Sequence, residues 1–521
     1  MLTMRLAHSP GGEVRSVVLL GLEPTLITIE AVTVSETCVF QIAGLSEASA
    51  RETRLRVRAA LQQVGVDLTT RGIKVQVGSV GLQRGGAFDL AIALSVLGAI
   101  GHISTASLKD TVVLGELSLT SSVQPVRGVL PSLQGAVAHG ITRAIVPRAN
   151  AREAAAVHGI EVLVVGRLDE LVRYLREGRL LESAGAPPSF LVEPSSGAPD
   201  LTDIRGMHSA RRALEIAAAG GHHLLLIGPP GSGKTVLARH MPGILPPLSR
   251  EEALEVTAVH SVAGLLTSEV GLIGRRPFRA PHHTVSAAGL VGGGDPVRPG
   301  EVSLAHHGVL FLDEFLDFRG HVLEALRQPL EEGCTALCRV RTRVTFPAGA
   351  LLIAAINPCP CGFAGERSQR CVCSPERLRA YRARLSGPLF DHFDIQVVLP
   401  PVDVAALQGS ARGESSGEVQ KRVIVARTVQ ERRAQAGVTA RINAQLSFRD
   451  LEQVATPDTA GTRLLTRAAE RIGLSVAAQE RVLRVARTIA DLDRSEVVRA
   501  PHLAEAVHAV LLPTLATATS R

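Results

Sequence analysis

The stretch His223-Leu-Leu-Leu-Ile227-Gly228-Pro229-Pro230-Gly231-Ser232-Gly233-Lys234-Thr235 decides how the chain is read. Its apolar half predicts a strand. Its second half fits GxxxxGK[ST] without a mismatch, and Val236 to Met241 then opens a helical pattern. Strand, glycine-rich loop and helix in that order are the context a phosphate cradle needs. Glycines let the backbone curl until its N–H groups point at phosphate oxygens. The helix N-terminus adds partial positive charge. Lys234 reaches the β- and γ-phosphates of a nucleoside triphosphate such as ATP, and the Thr235 hydroxyl joins the Mg²⁺ shell.

A triphosphate-bound cation needs an acidic partner, and hydrolysis needs a held water. Gly308-Val-Leu-Phe-Leu-Asp313-Glu314 supplies both. Four apolar residues predict a buried strand, and the acid pair sits at its C-terminal end, where ligands bind in open α/β sheets. Asp313 is expected in the Mg²⁺ environment and Glu314 beside the attacking water, as base or orienting group. A third apolar run, Leu351 to Ile356, ends at Asn357. An amide there is placed to meet the γ-phosphate or the water.

A length of 521 residues suggests roughly three domains. Hydrophobic residues make up 45%, which excludes a mostly disordered chain. Lys and Arg number 56 and Asp and Glu 49, a net +7, which permits an anionic partner without proving one. With no Trp and two Tyr, an extensive base-stacking platform is not expected. The longest apolar stretch, Ala87 to Ile100, contains Asp89 and is too short to span a bilayer. The opening MLTMRLAHSPGG lacks the apolar core of a signal peptide. The expectation is a soluble, cytoplasmic protein without a membrane partner.

Texture divides the chain. Residues 1–182 mix predicted strands (ITIEAVTV, KVQVGSV) with an amphipathic helix in SEASARETRLRVRAALQQVGV, capped by Ser46 or Ser49. Residues 183–200 are rich in Pro, Gly, Ser and Ala and read as a linker. Residues 201–400 alternate strands and helices, the pattern of a parallel sheet. Residues 401–521 lack strand runs and read as a helical domain, with Ala411 to Glu418 as a mobile loop inside it.

The three strand ends in this order resemble the AAA+ ATPases, with Asn357 matching their first sensor. FRAPHHTVSAAGLVGGGDPVRPGEVSLAHHGVLFLDE (278–314), LRQPLEEG (326–333), AAINPCPCG (354–362), RLSGPLFDHFDI (384–395) and RVLRVARTIADL (481–492) narrow this. They are similar to the magnesium-chelatase-like AAA+ family that includes the competence protein ComM (YifB). The resemblance implies an α/β core with a parallel sheet and a C-terminal helical lid. It also implies a homo-oligomeric ATPase, a hexameric ring, acting on single-stranded or branched DNA as a helicase in branch migration. A chelatase-type subunit and a DNA-bound assembly that uses ATP only to control oligomerisation stand as alternatives.

GELSLTSSVQPVRGVLPSLQGAVAHGITRAIVPRAN (115–150) is similar to the Lon protease proteolytic fold. The family's serine segment falls on Gly85-Gly-Ala87-Phe-Asp89 and its lysine segment on Gly128-Val-Leu130-Pro-Ser132. The first holds no serine and the second no lysine. Without nucleophile and activating amine, peptide hydrolysis by that route has no chemistry. The expectation is a non-proteolytic Lon-like domain for interaction or DNA binding.

AAA+ rings also present an arginine to the neighbouring subunit's γ-phosphate, and the resemblance puts His392 in that slot. Histidine is only fractionally charged near neutrality and lacks the guanidinium fork. The second-sensor arginine would fall in Ser475-Val-Ala477, where it too is absent. Either Arg384 and Arg481 substitute for the first and second roles, or hydrolysis is slow and the protein is an ATP-gated clamp, or the alignment is off by a turn.

Seven cysteines in an unsecreted chain argue against a disulfide framework. Cys359, Cys361, Cys371 and Cys373 form CxC, nine residues, CxC. Four thiolates can close a tetrahedral Zn²⁺ site with no open position; the alternative is reduced thiols in a surface loop. For DNA, two segments suggest themselves: a flexible pore loop at Ala287 to Gly294, and CRVRTRV (338–344), which alternates as a β-hairpin should, with Arg339, Arg341 and Arg343 on one face. An edge strand kept soluble by charge fits the second equally. His282-His283 and His306-His307 have no carboxylate or cysteine at ligand spacing in sequence and are read as structural.

Overall fold

The computed structural model describes residues 12–36, 38–78, 86–186, 199–338, 343–364, 371–384, 388–401 and 413–510. It is a mixed α/β fold. The N-terminal part is built on an eight-stranded sheet. Gly12–Leu20 and Glu23–Val34 pair antiparallel at its centre, and Thr111–Val113, Arg143–Pro147 and Glu161–Val165 extend it in parallel. The predicted helix spans Glu47–Gln63, and the Ser46 side chain accepts from the Ser49 N–H, so Ser46 is its cap. Asp89–Ala99 is a helix buried on every side. It is apolar all round because it is enclosed all round.

A second sheet has five strands, all parallel, in the spatial order Phe278–Arg279, Val309–Leu312, Leu351–Ile356, Leu224–Ile227, Ile395–Val398. Numbered along the chain this is 2-3-4-1-5. The phosphate-loop strand lies between the fourth and the fifth, so the C-terminal ends of strands 1, 3 and 4 are neighbours. Alternation sets what covers each face. Leu224, Leu226, Val309, Phe311, Ile353 and Ala355 join one core cluster; Leu225, Ile227, Leu310, Leu312, Leu352, Ala354 and Ile356 join another.

The first cluster is completed by helices His208–Gly220 and Lys234–Ile244 and by helices of the C-terminal part, Ser416–Gln435 and Val476–Leu492. The C-terminal helices therefore share a core with the sheet. Buried polar contacts fix them: His222 sits between Asp394 (2.9 Å) and Thr488 (2.8 Å), and Asn443 donates to Thr488 and Asp491. The N-terminal part docks on helix Arg250–Ala263. Gly128 N–H donates to Ser261 Oγ (2.9 Å), Ser261 donates to buried Glu153, and Arg250 reaches the Ala156 carbonyl (3.0 Å).

Two local expectations change. Ala287 to Gly294 is not a bare loop: Ala287–Val291 is a helix capped by Ser286, and Gly292–Gly293 pairs with Arg298–Pro299. The expected hairpin is present as far as it is described: Cys334–Cys338 pairs antiparallel with Arg343–Pro347, with Cys338 opposite Arg343. Arg339 and Arg341 lie outside the described residues. Within Ala411 to Glu418, Ser415 forms a capping box with Glu418, and Arg422 holds Glu414 at 2.7 Å, so its described part is the start of a helix; Ala411 and Arg412 lie outside the described residues.

Candidate nucleotide-binding and hydrolysis site

The phosphate loop links the central strand to helix Lys234–Ile244. Gly231 (φ +78°) and Gly233 (φ +86°) adopt the left-handed backbone that turns the chain back on itself. At Gly228 a side chain is crowded out: a Cβ would lie 2.6 Å from Ser232 Oγ and 3.0 Å from Leu399 Cβ. The helix holds its place through Leu237, Met241 and Ile244, spaced i, i+4, i+7 and fully buried.

Lys234 Nζ donates to the carbonyls of Gly228 (2.6 Å) and Pro229 (2.9 Å) and to Asn357 Oδ1 (3.1 Å). Burial pushes its pKa below the ordinary lysine value, and the charges of Asp313 and Glu314 oppose that. Thr235 Oγ1 donates to Asp313 Oδ2 at 2.8 Å. Residues from three parallel strands thus meet at one edge. Ser232 Oγ is buried with no hydrogen-bond partner. An orphaned hydroxyl inside a loop of curled N–H groups, with an ammonium, a second hydroxyl and a carboxylate beside it, is a donor set that fits a triphosphate and Mg²⁺.

Glu314 has φ +51°, rare for a residue with a Cβ. The turn starts as soon as the strand ends, and it leaves the carboxylate half exposed rather than packed under the sheet. His283 Nδ1 lies 3.3 Å from Glu314 Oε2. The sequence reading took His283 as structural. The loop after the short strand Phe278–Arg279 brings it to the acid, a contact between residues 31 positions apart that spacing does not reveal. His282 stacks beside it at 4.0 Å.

Arg384 ends helix Pro375–Ala383, near Tyr381, whose hydroxyl donates to the Asn357 carbonyl (2.9 Å). His392 lies at the opposite edge, just before strand Ile395–Val398. There Arg481 donates to the Asp391 carbonyl (2.7 Å) and carboxylate (3.0 Å). Ala477 is exposed, one turn before Arg481 on the same helix.

The four cysteines of the CxC pairs converge. Cys359 and Cys361 sulfurs are 3.3 Å apart, and Cys371 lies 3.8 and 3.6 Å from them. One ligand atom from each of the four falls within 4.8 Å of the others. A tetrahedron with Zn–S near 2.3 Å has sulfur edges of about 3.8 Å, so the set fits a tetrathiolate. Burial and neighbouring thiols push the Cys359 thiol up to about 12, whereas backbone N–H groups around Cys361 pull it down to about 6.

His306 and His307 do have a carboxylate partner: Glu255 of helix Arg250–Ala263, at 3.0 and 2.7 Å. It lies some fifty residues away, hence its absence from local spacing. His306 Nδ1 accepts from the Gly349 N–H (3.1 Å), so its proton is on Nε2, which donates to Glu255. Burial pushes this histidine down to about 4. A neutral ring with both nitrogens engaged is a strut, not a metal ligand.

In the Lon-like part, Asp89 is fully buried and paired with Arg56 at 2.6 Å, with the Leu117 N–H at 3.2 Å. Burial pushes the carboxyl up to about 6 and the guanidinium holds it ionised at neutral pH. Gly86–Phe88 and Gly128–Ser132 bring no nucleophile and lysine pair. Leu130 N–H instead donates to Glu153.

Residues 200–407 match the family described as magnesium chelatase, subunit ChlI; 29–150 match subunit ChlI of Mg-chelatase; and 413–509 match its C-terminal part. The competence protein ComM of Haemophilus influenzae is 38% identical over 495 residues, 94% of this chain and 95% of that one. The chain belongs to the magnesium-chelatase-like ComM/YifB family. Other members include an uncharacterised protein of Mycobacterium tuberculosis, 42% identical over 483 residues (92% of this chain, 95% of that one). An archaeal Lon protease of Pyrococcus abyssi is 31% identical over 133 residues, 24% of this chain and 13% of that one. The family makes the chain an AAA+-type ATPase. No helix among the described residues is long and apolar enough to cross a membrane.

Proposed function

We propose that this chain is an ATP-hydrolysing ring motor that acts on DNA. The carrying observation is the meeting of Lys234, Thr235, Asp313 and Asn357 at one edge of the parallel sheet. In this reading the phosphate loop binds ATP, and Lys234 exchanges its carbonyl partners for phosphate oxygens. Thr235 and Asp313 hold Mg²⁺, which screens charge on the phosphates. Glu314 takes the proton of the attacking water, and Asn357 orients that water or the γ-phosphate. Zinc is assigned to the four clustered cysteines.

The DNA reading rests on the relative named a competence protein and on the chain's net +7. The N-terminal part is proposed as a docking or DNA-binding module without peptidase activity. The test is ATP turnover with and without single-stranded and branched DNA, with Glu314→Gln as control. Stimulation by DNA, lost in the variant, supports the motor. Turnover insensitive to DNA but stimulated by a porphyrin and a partner subunit would replace it with the chelatase reading.

A further inference from the structure

The cysteine cluster is built against the nucleotide site. Gly362, directly after Cys361, has φ +87°, and a Cβ there would stand 2.5 Å from Pro230 Cδ and 2.7 Å from Pro230 Cγ. The cluster's backbone therefore touches the phosphate loop at its tip. Cys359 follows Asn357 by two residues, and Asn357 accepts from Lys234. On the far side of the cluster, helix Pro375–Ala383 begins two residues after Cys373, and its Tyr381 hydroxyl grips the Asn357 carbonyl at 2.9 Å. The four sulfurs thus join two chain segments, and each leads into the polar group that meets the triphosphate.

Besides the sulfurs, the Tyr381 hydroxyl on the Asn357 carbonyl and the Val372 N–H on the Cys361 sulfur join these segments. Uncoordinated, the thiols of Cys359, Cys361 and Cys371 at 3.3–3.8 Å, with Cys373 within 4.8 Å, are weak donors and acceptors and repel once ionised. A divalent ion replaces this with four strong bonds and releases the thiol protons to solvent.

We propose that Zn²⁺ bound by Cys359, Cys361, Cys371 and Cys373 sets ATP affinity, by clamping Gly362 against Pro230 and fixing Asn357 beside Lys234. The proposal rests on the nucleotide-site reading above. Without the metal, the phosphate loop loses its backing and Asn357 its anchor. ATP affinity then falls while the sheet, whose core lies elsewhere, stays folded.

The test uses the full chain. Metal content is measured on protein purified without chelator. The zinc is then exchanged for Co²⁺, whose thiolate charge-transfer band and tetrahedral visible spectrum report the ligands. ATP affinity is measured with Mg²⁺ present on loaded, stripped and zinc-restored protein. The expected result is one metal per chain, a tetrathiolate spectrum, and ATP affinity about tenfold weaker on stripping and recovered with Zn²⁺ alone. Gly362→Ala leaves every thiol in place, so it should keep the cobalt spectrum and still weaken ATP binding. Absence of metal, or equal ATP affinity in loaded and stripped protein or in Gly362→Ala, overturns the proposal. Loaded protein that binds no ATP at all removes the nucleotide-site reading together with it.

Discussion

The Arg481 guanidinium clasps Asp391, donating to its carbonyl at 2.7 Å and to its carboxylate at 3.0 Å, and so stands one residue from His392. Its Nε is buried without a partner. His392, which the resemblance to the AAA+ family sets in the slot of that family's arginine, is thus flanked by a guanidinium from the C-terminal helices. Arg384 is at the other edge of the sheet, with Tyr381 and Asn357. The expected turnover of Arg481→Ala is lower by about a thousandfold or more, with ATP binding retained, as for a cation supplied across an interface. Mixing Arg481→Ala with Glu314→Gln should restore part of the activity, because each supplies what the other lacks. A mixture no more active than its components would show that Arg481 does not act between subunits.

Glu314 and His283 form a pair whose members contribute unequally. Glu314→Gln should lower kcat by about 10² to 10⁴, the ordinary contribution of a general base. His283→Ala should cost about tenfold, since it removes only the group that holds the carboxylate, and should alter the pH profile of kcat. Steady-state turnover over pH 5.5–9 separates them. Equal losses with an unchanged profile would make His283 merely structural.

Buried Asp89 is stable as a carboxylate only beside Arg56. Removing one member of a buried pair typically costs about 3–5 kcal/mol. Arg56→Ala should therefore lower the unfolding midpoint of the N-terminal part by several degrees in calorimetry. Replacing the pair together should cost less than the single change. An Arg56→Ala protein as stable as the parent would contradict the assignment.

His223 is half-buried, accepts from the Leu352 N–H at 3.0 Å, and is pushed by desolvation down to about 4. Its folded value lies below its unfolded one, so between about pH 6.5 and 4 only the unfolded chain takes up this proton. Stability from this group is complete above the unfolded value and declines on acidification, by about 1.4 kcal/mol per pH unit. His223→Gln keeps an acceptor without the titration. The stability gap between parent and variant, from denaturant unfolding, should shrink as pH falls through that window. Parallel curves would rule this out.

Much of the site was legible because its chemistry is carried by contiguous residues. A loop that wraps phosphate must have glycine, lysine and threonine at fixed offsets, and an acid at a strand end follows a buried apolar run. Hence Lys234, Thr235, Asp313, Glu314 and Asn357 stood out before any coordinates. What spacing could not reach were contacts made by separate elements: His283 on Glu314, Glu255 between two histidines, Arg481 on Asp391.

The sequence alone determined the chemistry of the phosphate loop and the apolar periods of the strands, since both depend on residues close along the chain. Tertiary structure alone decided which edge each arginine occupies, that the cysteines back the phosphate loop, and that Asp89 is the buried ion-pair partner of Arg56. Those outcomes depend on how strands order in the sheet and how the C-terminal helices share its core, and such long-range packing leaves no fixed offset to read.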